Sequence, residues 1–172
     1  MSTPTMDRPD DVAAAMAADA ALRARVRDFY DAYYDALDDV RLEDWPDFFT
    51  EECLYRVIPR ENHERGFMLC TMQAESRGML QDRVTGLLKT QMYAPRYYRR
   101  FPGPLRVTAG GDGIRTRHNL LMVQTLIDRQ PSIVLCGVCH DRLVEDEGRL
   151  RLVERVVVFD SEMIANSLIY PA

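Results

Sequence analysis

The sequence predicts an α+β fold in which a strongly curved antiparallel sheet wraps around N-terminal helices. Three observations predict it. An amphipathic helical stretch comes first, an aromatic plug of Trp45, Phe48 and Phe49 follows, and long strands with clear turns close the chain in series. Helices first and then a meander of strands is an α+β order, because a sheet must bury its apolar face against another layer.

Each element has its own warrant. Residues 1–9 read as a flexible tail, and 10–172 as a single cone-shaped α+β domain with neither repeat nor low-complexity linker. A chain of 172 residues is long enough for one sizeable core. From Asp10, a residue suited to an N-cap, DDVAAAMAADAALRARV is an alanine-rich helix. A stronger amphipathic helix follows, with Leu22, Val26, Phe29, Tyr30, Tyr33 and Leu37 on one face and Asp28, Asp31, Asp35 and Asp38 off it. Pro46 marks a short helical turn. Residues 53–58 form a strand, and Arg60-Glu61-Asn62-His63-Glu64-Arg65 a charged loop. Ser76 caps a helix running to about Lys89, with Met79, Leu80, Val84, Leu87 and Leu88 on its buried side. Pro95, Pro102 and Pro104 punctuate a loop rich in tyrosine and arginine. Strands then span 105–109, 114–127, 132–144 and 149–159, separated by Gly-rich or Asp/Pro turns. Residues 160–172 read as an extended, partly apolar tail. Strands of this length imply a strongly bent sheet, the cone of nuclear-transport-factor-2-like domains.

Composition narrows the function classes. Hydrophobic content of 47% and charged content of 28% are ordinary for a globular chain. A net charge of -5 opposes nucleic-acid binding, which needs a basic stripe. Lys89 is the only lysine among 22 basic residues, an excess of arginine that genome composition explains as well as anion recognition does. No apolar run approaches the roughly 18 residues of a membrane helix, and the N-terminus lacks the basic and apolar regions of a secretory signal. The expected compartment is the cytoplasm, with Cys53, Cys70, Cys136 and Cys139 reduced.

The sharpest local motif is Cys136-Gly137-Val138-Cys139-His140, the C-x-x-C-H of c-type haem attachment. It lies inside the strand pattern SIVLCGVCHDRLV, where positions i and i+3 point to opposite faces. Two thiols so placed cannot share one haem or act as a redox pair, so the cysteines read as small strand hydrophobes. His63, His118 and His140 lack chelate spacing, and no intrinsic metal site is expected. An internal pocket lined by Tyr30, Tyr33, Tyr55 and His118 would permit acid–base chemistry, as in a stand-alone isomerase or dehydratase acting on a small hydrophobic substrate. Its weak point is the acid, since Asp35 lies off the apolar face. The segment Tyr93, Arg96, Tyr97, Tyr98, Arg99, Arg100, Phe101 has the composition of a protein contact, and its residues fit packing under the sheet equally well.

Beyond these readings, DWPDFFTEECLYRV, PRENHERG, ESRGMLQDRV and the closing VFDSEMIANSLIYP resemble one family over nearly the whole chain after the N-terminal extension. The family is the small (beta) subunit of aromatic-ring-hydroxylating dioxygenases, the Rieske non-haem iron oxygenases. The wording is most similar to small subunits that serve oxygenases of carboxylated aromatics, such as salicylate 5-hydroxylase and terephthalate dioxygenase. The resemblance implies a non-catalytic subunit that supports a large (alpha) subunit in a three-plus-three assembly and self-associates as a trimer. It implies that the Rieske [2Fe-2S] cluster, the mononuclear Fe(II) and the contacts with electron-transfer components belong to the large subunit. No catalytic and no metal residue carries over. Arg60, Glu61, His63, Arg65, Tyr97, Tyr98, Arg99 and Arg100 are the expected subunit-interface residues.

Overall fold

A computed structural model describes residues 9–89, 94–164 and 168–172, with side chains described from residue 15 onward. The expected tail therefore lies almost entirely outside the described residues, as does Tyr93. One helix, α1 (Pro9–Asp38), replaces the two expected in succession. Alanine and other strong helix formers link the two stretches without a breaker. Its buried stripe is Val26, Tyr30, Tyr33, Tyr34 and Leu37, while Asp28, Asp31 and Asp35 are exposed as read. The helix stops in a Schellman-type turn: Arg41 N–H donates to Ala36 O (2.8 Å) and Val40 N–H to Leu37 O (3.3 Å). Val40 takes the left-handed position of that turn, at φ 61°.

A single 3-10 turn, Trp45–Phe48, delivers the aromatic plug. Trp45, Phe49 and Tyr55 are buried and meet edge to face, with centroids 5.2–6.0 Å apart. The first strand, β1 (Phe49–Pro59), begins earlier than the pattern indicated. The charged segment after it is a short helix, α2 (Arg60–Glu64), not a loop. A strand that was not anticipated, β2 (Met72–Ser76), precedes α3 (Arg77–Lys89). Ser76 does receive an N–H, that of Met79, on its hydroxyl at 3.3 Å. On α3 the buried residues are Leu80, Val84 and Leu87, whereas Met79 and Leu88 are about half exposed, against expectation. The proline-punctuated stretch also contains a strand, β3 (Arg96–Pro102), where a loop was expected. Pro102 is its last residue, a place where the missing N–H does no harm. Then come β4 (Arg106–Gly110), β5 (Gly113–Leu126), β6 (Ser132–Asp146) and β7 (Arg149–Phe159).

The seven strands form one sheet in the order β2-β1-β7-β6-β5-β3, with β4 also paired to β5. The sheet is mixed rather than wholly antiparallel, because β1 lies parallel to β7. Hydrophobic patterning carries no information about strand direction, and the helices and outer strands between β1 and β7 supply the long connection a parallel pair needs. Inward residues of β5 (Leu120, Met122), β6 (Leu135, Leu143) and β7 (Leu152, Val157) meet α1 and the plug in one core. Residues 168–172 seal that core. Leu168, Ile169 and Ala172 are buried, Ala172 N–H donates to the Tyr55 hydroxyl (2.8 Å), and Arg100 donates to Pro171 O.

Candidate functional site

The cone interior holds a polar network at its centre. Its members come from three strands and one helix face. On β5, Thr116 and His118 point inward with Leu120; on β6, Cys139 and Asp141 point inward with Leu143. Arg155 of β7 stands opposite Asp141, its cross-strand partner. Helix α1 brings Tyr30, Tyr33 and Tyr34 down onto them.

Hydrogen bonds join these side chains into one network. Arg155 donates through one terminal nitrogen to Asp141 Oδ2 (2.7 Å) and through the other to the Tyr34 hydroxyl (2.7 Å). Its guanidinium also lies over the Tyr33 ring, 4.6 Å from the centroid. Tyr30 donates to Asp141 Oδ2 (2.7 Å), which leaves Thr116 to donate to the Tyr30 oxygen (2.5 Å). Tyr34 reaches His118 Nε2 at 2.6 Å. The Tyr34 oxygen also accepts from Arg155, and its contact with Nε2 fits either a hydroxyl that donates to the ring or a ring N–H that donates to the hydroxyl.

Burial, helped by Arg155 and His140, pushes the His118 imidazole down to about 3. It is a neutral ring at physiological pH. Burial also raises the Asp141 carboxyl, with Arg155 and Tyr30 pulling back in favour of the charged form. Burial holds Tyr30 and Tyr34 well above the ordinary phenol value and the Cys139 thiol up at about 12. The His118 imidazole and the Cys139 thiol are thus both held far from neutrality, which removes them as a general base and a nucleophile.

Tyr30, Tyr33, Tyr55 and His118 do converge as the sequence suggested, but around filled space. Tyr33 accepts from Trp45 Nε1 (2.9 Å) and donates to Ala172 O (3.3 Å), and Tyr55 is tied to Ala172. The acid that meets Tyr30 is Asp141; Asp35 is exposed. Sequence reasoning missed Asp141, Arg155, Tyr34 and Thr116. The alternation of SIVLCGVCHDRLV places Asp141 on the face of Leu135 and Leu143, a signal that could have found it. Arg155 had no such signal, because Val153 is an extra residue on β7: Arg142 pairs with Glu154 but Leu143 with Leu152.

Cys136 is exposed and Cys139 buried, opposite faces of β6 as the motif reading required. The described residues contain no group of three histidine, cysteine or carboxylate side chains able to hold a metal. As a donor set they do not fit an iron–sulfur cluster or an iron triad: the two β6 thiols diverge, and His118 Nε2 is committed to Tyr34.

The expected interface residues divide. Arg60, Glu61, His63 and Arg65 are exposed on and beside α2; Arg60 pairs with Asp160, Arg65 with Glu61 (3.0 Å), and the His63 ring stacks on His140 (6.2 Å between centroids). Tyr97 and Arg99 face outward from β3. Tyr98 and Arg100 alternate inward and are buried, which removes them from the surface. Arg100 pairs with Asp38 at 2.5 Å. An exposed apolar run that the sequence did not flag adjoins α2: Phe67, Met68 and Leu69 are 53–76% exposed in succession.

The SnoaL-like domain family profile matches residues 18–156. The chain is 32% identical over 140 residues to the small subunit of anthranilate 1,2-dioxygenase from Burkholderia cepacia, covering 81% of this chain and 87% of that one. It belongs to the small-subunit family of ring-hydroxylating dioxygenases. A beta subunit of the terephthalate 1,2-dioxygenase terminal oxygenase of Comamonas sp is 30% identical to this small subunit over 83% of this chain and 94% of that one. The crystal structure of the beta subunit of a putative aromatic-ring-hydroxylating dioxygenase from Novosphingobium aromaticivorans superposes with a TM-score of 0.81 at 34% identity, covering 90% of the small subunit and 99% of that chain. Among the described residues no helix is long and apolar enough to cross a membrane.

Proposed function

We propose that this small subunit is the non-catalytic, assembly-supporting part of a cytoplasmic multicomponent oxygenase that hydroxylates a carboxylated aromatic compound. It packs against a large subunit, three copies of each, and forms a trimer with itself. The Rieske cluster and mononuclear iron belong to the large subunit, which also meets the electron-transfer components. One observation carries the reading. Similarity to small subunits of anthranilate and terephthalate dioxygenases runs through more than four-fifths of the chain, while the cone centre is closed by the Arg155–Asp141–Tyr30–Tyr34 network rather than left open for substrate.

The partner-facing surface is α2 with His63 and Arg65, the exposed Phe67, Met68 and Leu69, and the outward side of β3 at Tyr97, Arg99 and Phe101. Contiguous exposed apolar residues rimmed by charge are the composition of a docking surface. The test is native mass spectrometry on complexes recovered through a tag on this chain from its own host. Recovery with a larger iron–sulfur protein in equal copies is expected. Recovery of a homo-oligomer alone, together with turnover of an aromatic substrate by it, overturns the reading.

A further inference from the structure

The outer face of the sheet gathers cations that the core network does not use. Strand alternation puts them there: Thr116 of β5 and Asp141 of β6 point inward, so Arg115, Arg117, His140 and Arg142 point outward. Register then aligns them. Arg106 of β4 stands opposite Arg117, Arg117 opposite His140, and in the next row Arg115 opposite Arg142. From above, α2 lays the His63 ring on His140, 6.2 Å between centroids and 18° from parallel. These side chains border one cleft of about 580 Å³.

Counter-charge is unevenly shared among them. Arg115 holds Asp112 at 2.6 Å, and Arg142 lies 3.8 Å from Glu154. Arg106 and Arg117 have no hydrogen bond or ion pair among the described residues. Asp141, the other carboxylate of the lining, is turned to the core and held by Arg155. Guanidinium groups stay charged at any working pH, and like charges directly opposite across a strand pair destabilise it. In a chain of net charge -5, with 27 acidic residues, this pair is nonetheless left bare.

The lining also limits the shape of a ligand. Val156 is its one apolar residue, and the two imidazoles are its only rings. A hydrocarbon or aromatic body has no surface to lie on. Arginine forks match the oxygens of phosphate groups, and Arg106 and Arg117, on adjacent strands, offer two forks to one anion. We propose that this cleft binds a compact phosphate-type polyanion, a pyrophosphoryl group, gripped between Arg106 and Arg117 with His140 and His63 beside it. No bond is made or broken in it. The site does not rest on the oxygenase reading; His63 alone is shared with the docking surface proposed above.

Binding is linked to protons through His140. That ring faces Arg115 and Arg117 of β5, Glu154 and Val156 of β7, His63 of α2 and Arg142 on its own strand. Burial, then Arg117 and His63, hold its imidazole below the ordinary value. A bound anion opposes those cations, so the His140 titration midpoint moves up and affinity rises as pH falls.

The test titrates the full chain with pyrophosphate by calorimetry, with the histidine Cε1–H resonances as local readout. Two of the three histidines, His63 and His140, border the cleft, while His118 is buried in the core. Saturable binding of one equivalent per chain is expected, with a Kd of about 0.1 mM at low salt that weakens as salt is added. Arg106→Gln with Arg117→Gln weakens binding at least about tenfold, while thermal unfolding stays unchanged or rises, because neither charge has a partner to lose. Benzoate, a carboxylate monoanion, is expected not to compete. ADP binding as tightly as pyrophosphate identifies a phosphate ester as the source of the group; pyrophosphate binding alone identifies the free anion. Three results overturn the proposal: no saturable heat and no movement of the His63 and His140 signals at millimolar pyrophosphate; binding undiminished in the double variant; or binding of hexaglutamate where pyrophosphate fails, which assigns the cleft to an acidic protein segment. A failure to bind leaves assembly with a large subunit, measured separately by mass, untouched.

Discussion

Arg155 and Asp141 face each other across the β6–β7 pair at 2.7 Å, and neither side chain has any exposed surface. Two desolvated charges at the centre of a core are costly unless both remain paired. Asp141 is also the acceptor for Tyr30, and Arg155 the donor to Tyr34, so this one ion pair fixes helix α1 on the sheet.

Removing one member leaves a buried charge without compensation. Arg155→Met is expected to lower unfolding stability by about 3–5 kcal/mol. The double variant Arg155→Met, Asp141→Leu recovers most of that loss, because an apolar pair of similar volume needs no desolvation. Urea unfolding of the single and double variants is the check; additive losses would show that the pair is not what stabilises the contact.

Stability carries a signature of His118. Its folded value is about 3 against an ordinary 6.5, so between those values the unfolded state binds the extra proton. The contribution is fully present above pH 6.5 and is lost as pH falls toward 3. The slope from this one group is about 1.4 kcal/mol per pH unit. His118→Gln flattens the slope in that window, and equilibrium unfolding at stepped pH measures it.

Val40 closes helix α1 in the left-handed region, φ 61°, where a β-branched side chain is strained. Val40→Gly relieves the strain at a half-exposed position. A gain of about 0.5–1 kcal/mol in thermal or urea unfolding is expected. A loss would mean that the Val40 side chain packs more strongly than its 43% exposure indicates.

Gly137 explains the glycine of the C-x-x-C-H run. A Cβ there would lie 2.2 Å from Val158 O and 2.7 Å from the Phe159 Cα, both backbone atoms of the neighbouring strand. Gly137→Ala must therefore push β7 away from β6. A destabilisation of at least about 1–3 kcal/mol is expected. Cys136→Ser, on the exposed face of the same strand, is expected to leave stability unchanged, which separates backbone approach from any role of the motif.

Charge reversal at Arg60 and Arg65 tests the proposed docking surface. Both form exposed ion pairs, worth about 0–1 kcal/mol each to the fold. Buried on assembly, the same charges are worth roughly 2–5 kcal/mol. The double glutamate variant is expected to keep its melting temperature within a few degrees while losing oligomer mass. An unchanged mass removes α2 from the interface.

The sequence by itself determined the local order of this protein: the amphipathic stripe of α1, the aromatic plug at Trp45, the turns that separate β4 to β7, and the divergence of Cys136 from Cys139. Periodicity and turn chemistry are properties of neighbouring residues, and they are legible without a fold. The tertiary structure alone decided the rest. Pairing direction made β1 parallel to β7. The strand at 96–102 hid behind its flanking prolines, and its alternation turned Tyr98 and Arg100 inward. The extra residue Val153 reset the phase of β7 and carried Arg155 into the core. The acid that meets Tyr30 comes from 111 residues away, not from its own helix. Such choices depend on which groups can be desolvated together, and that is settled only when distant strands close around the same space.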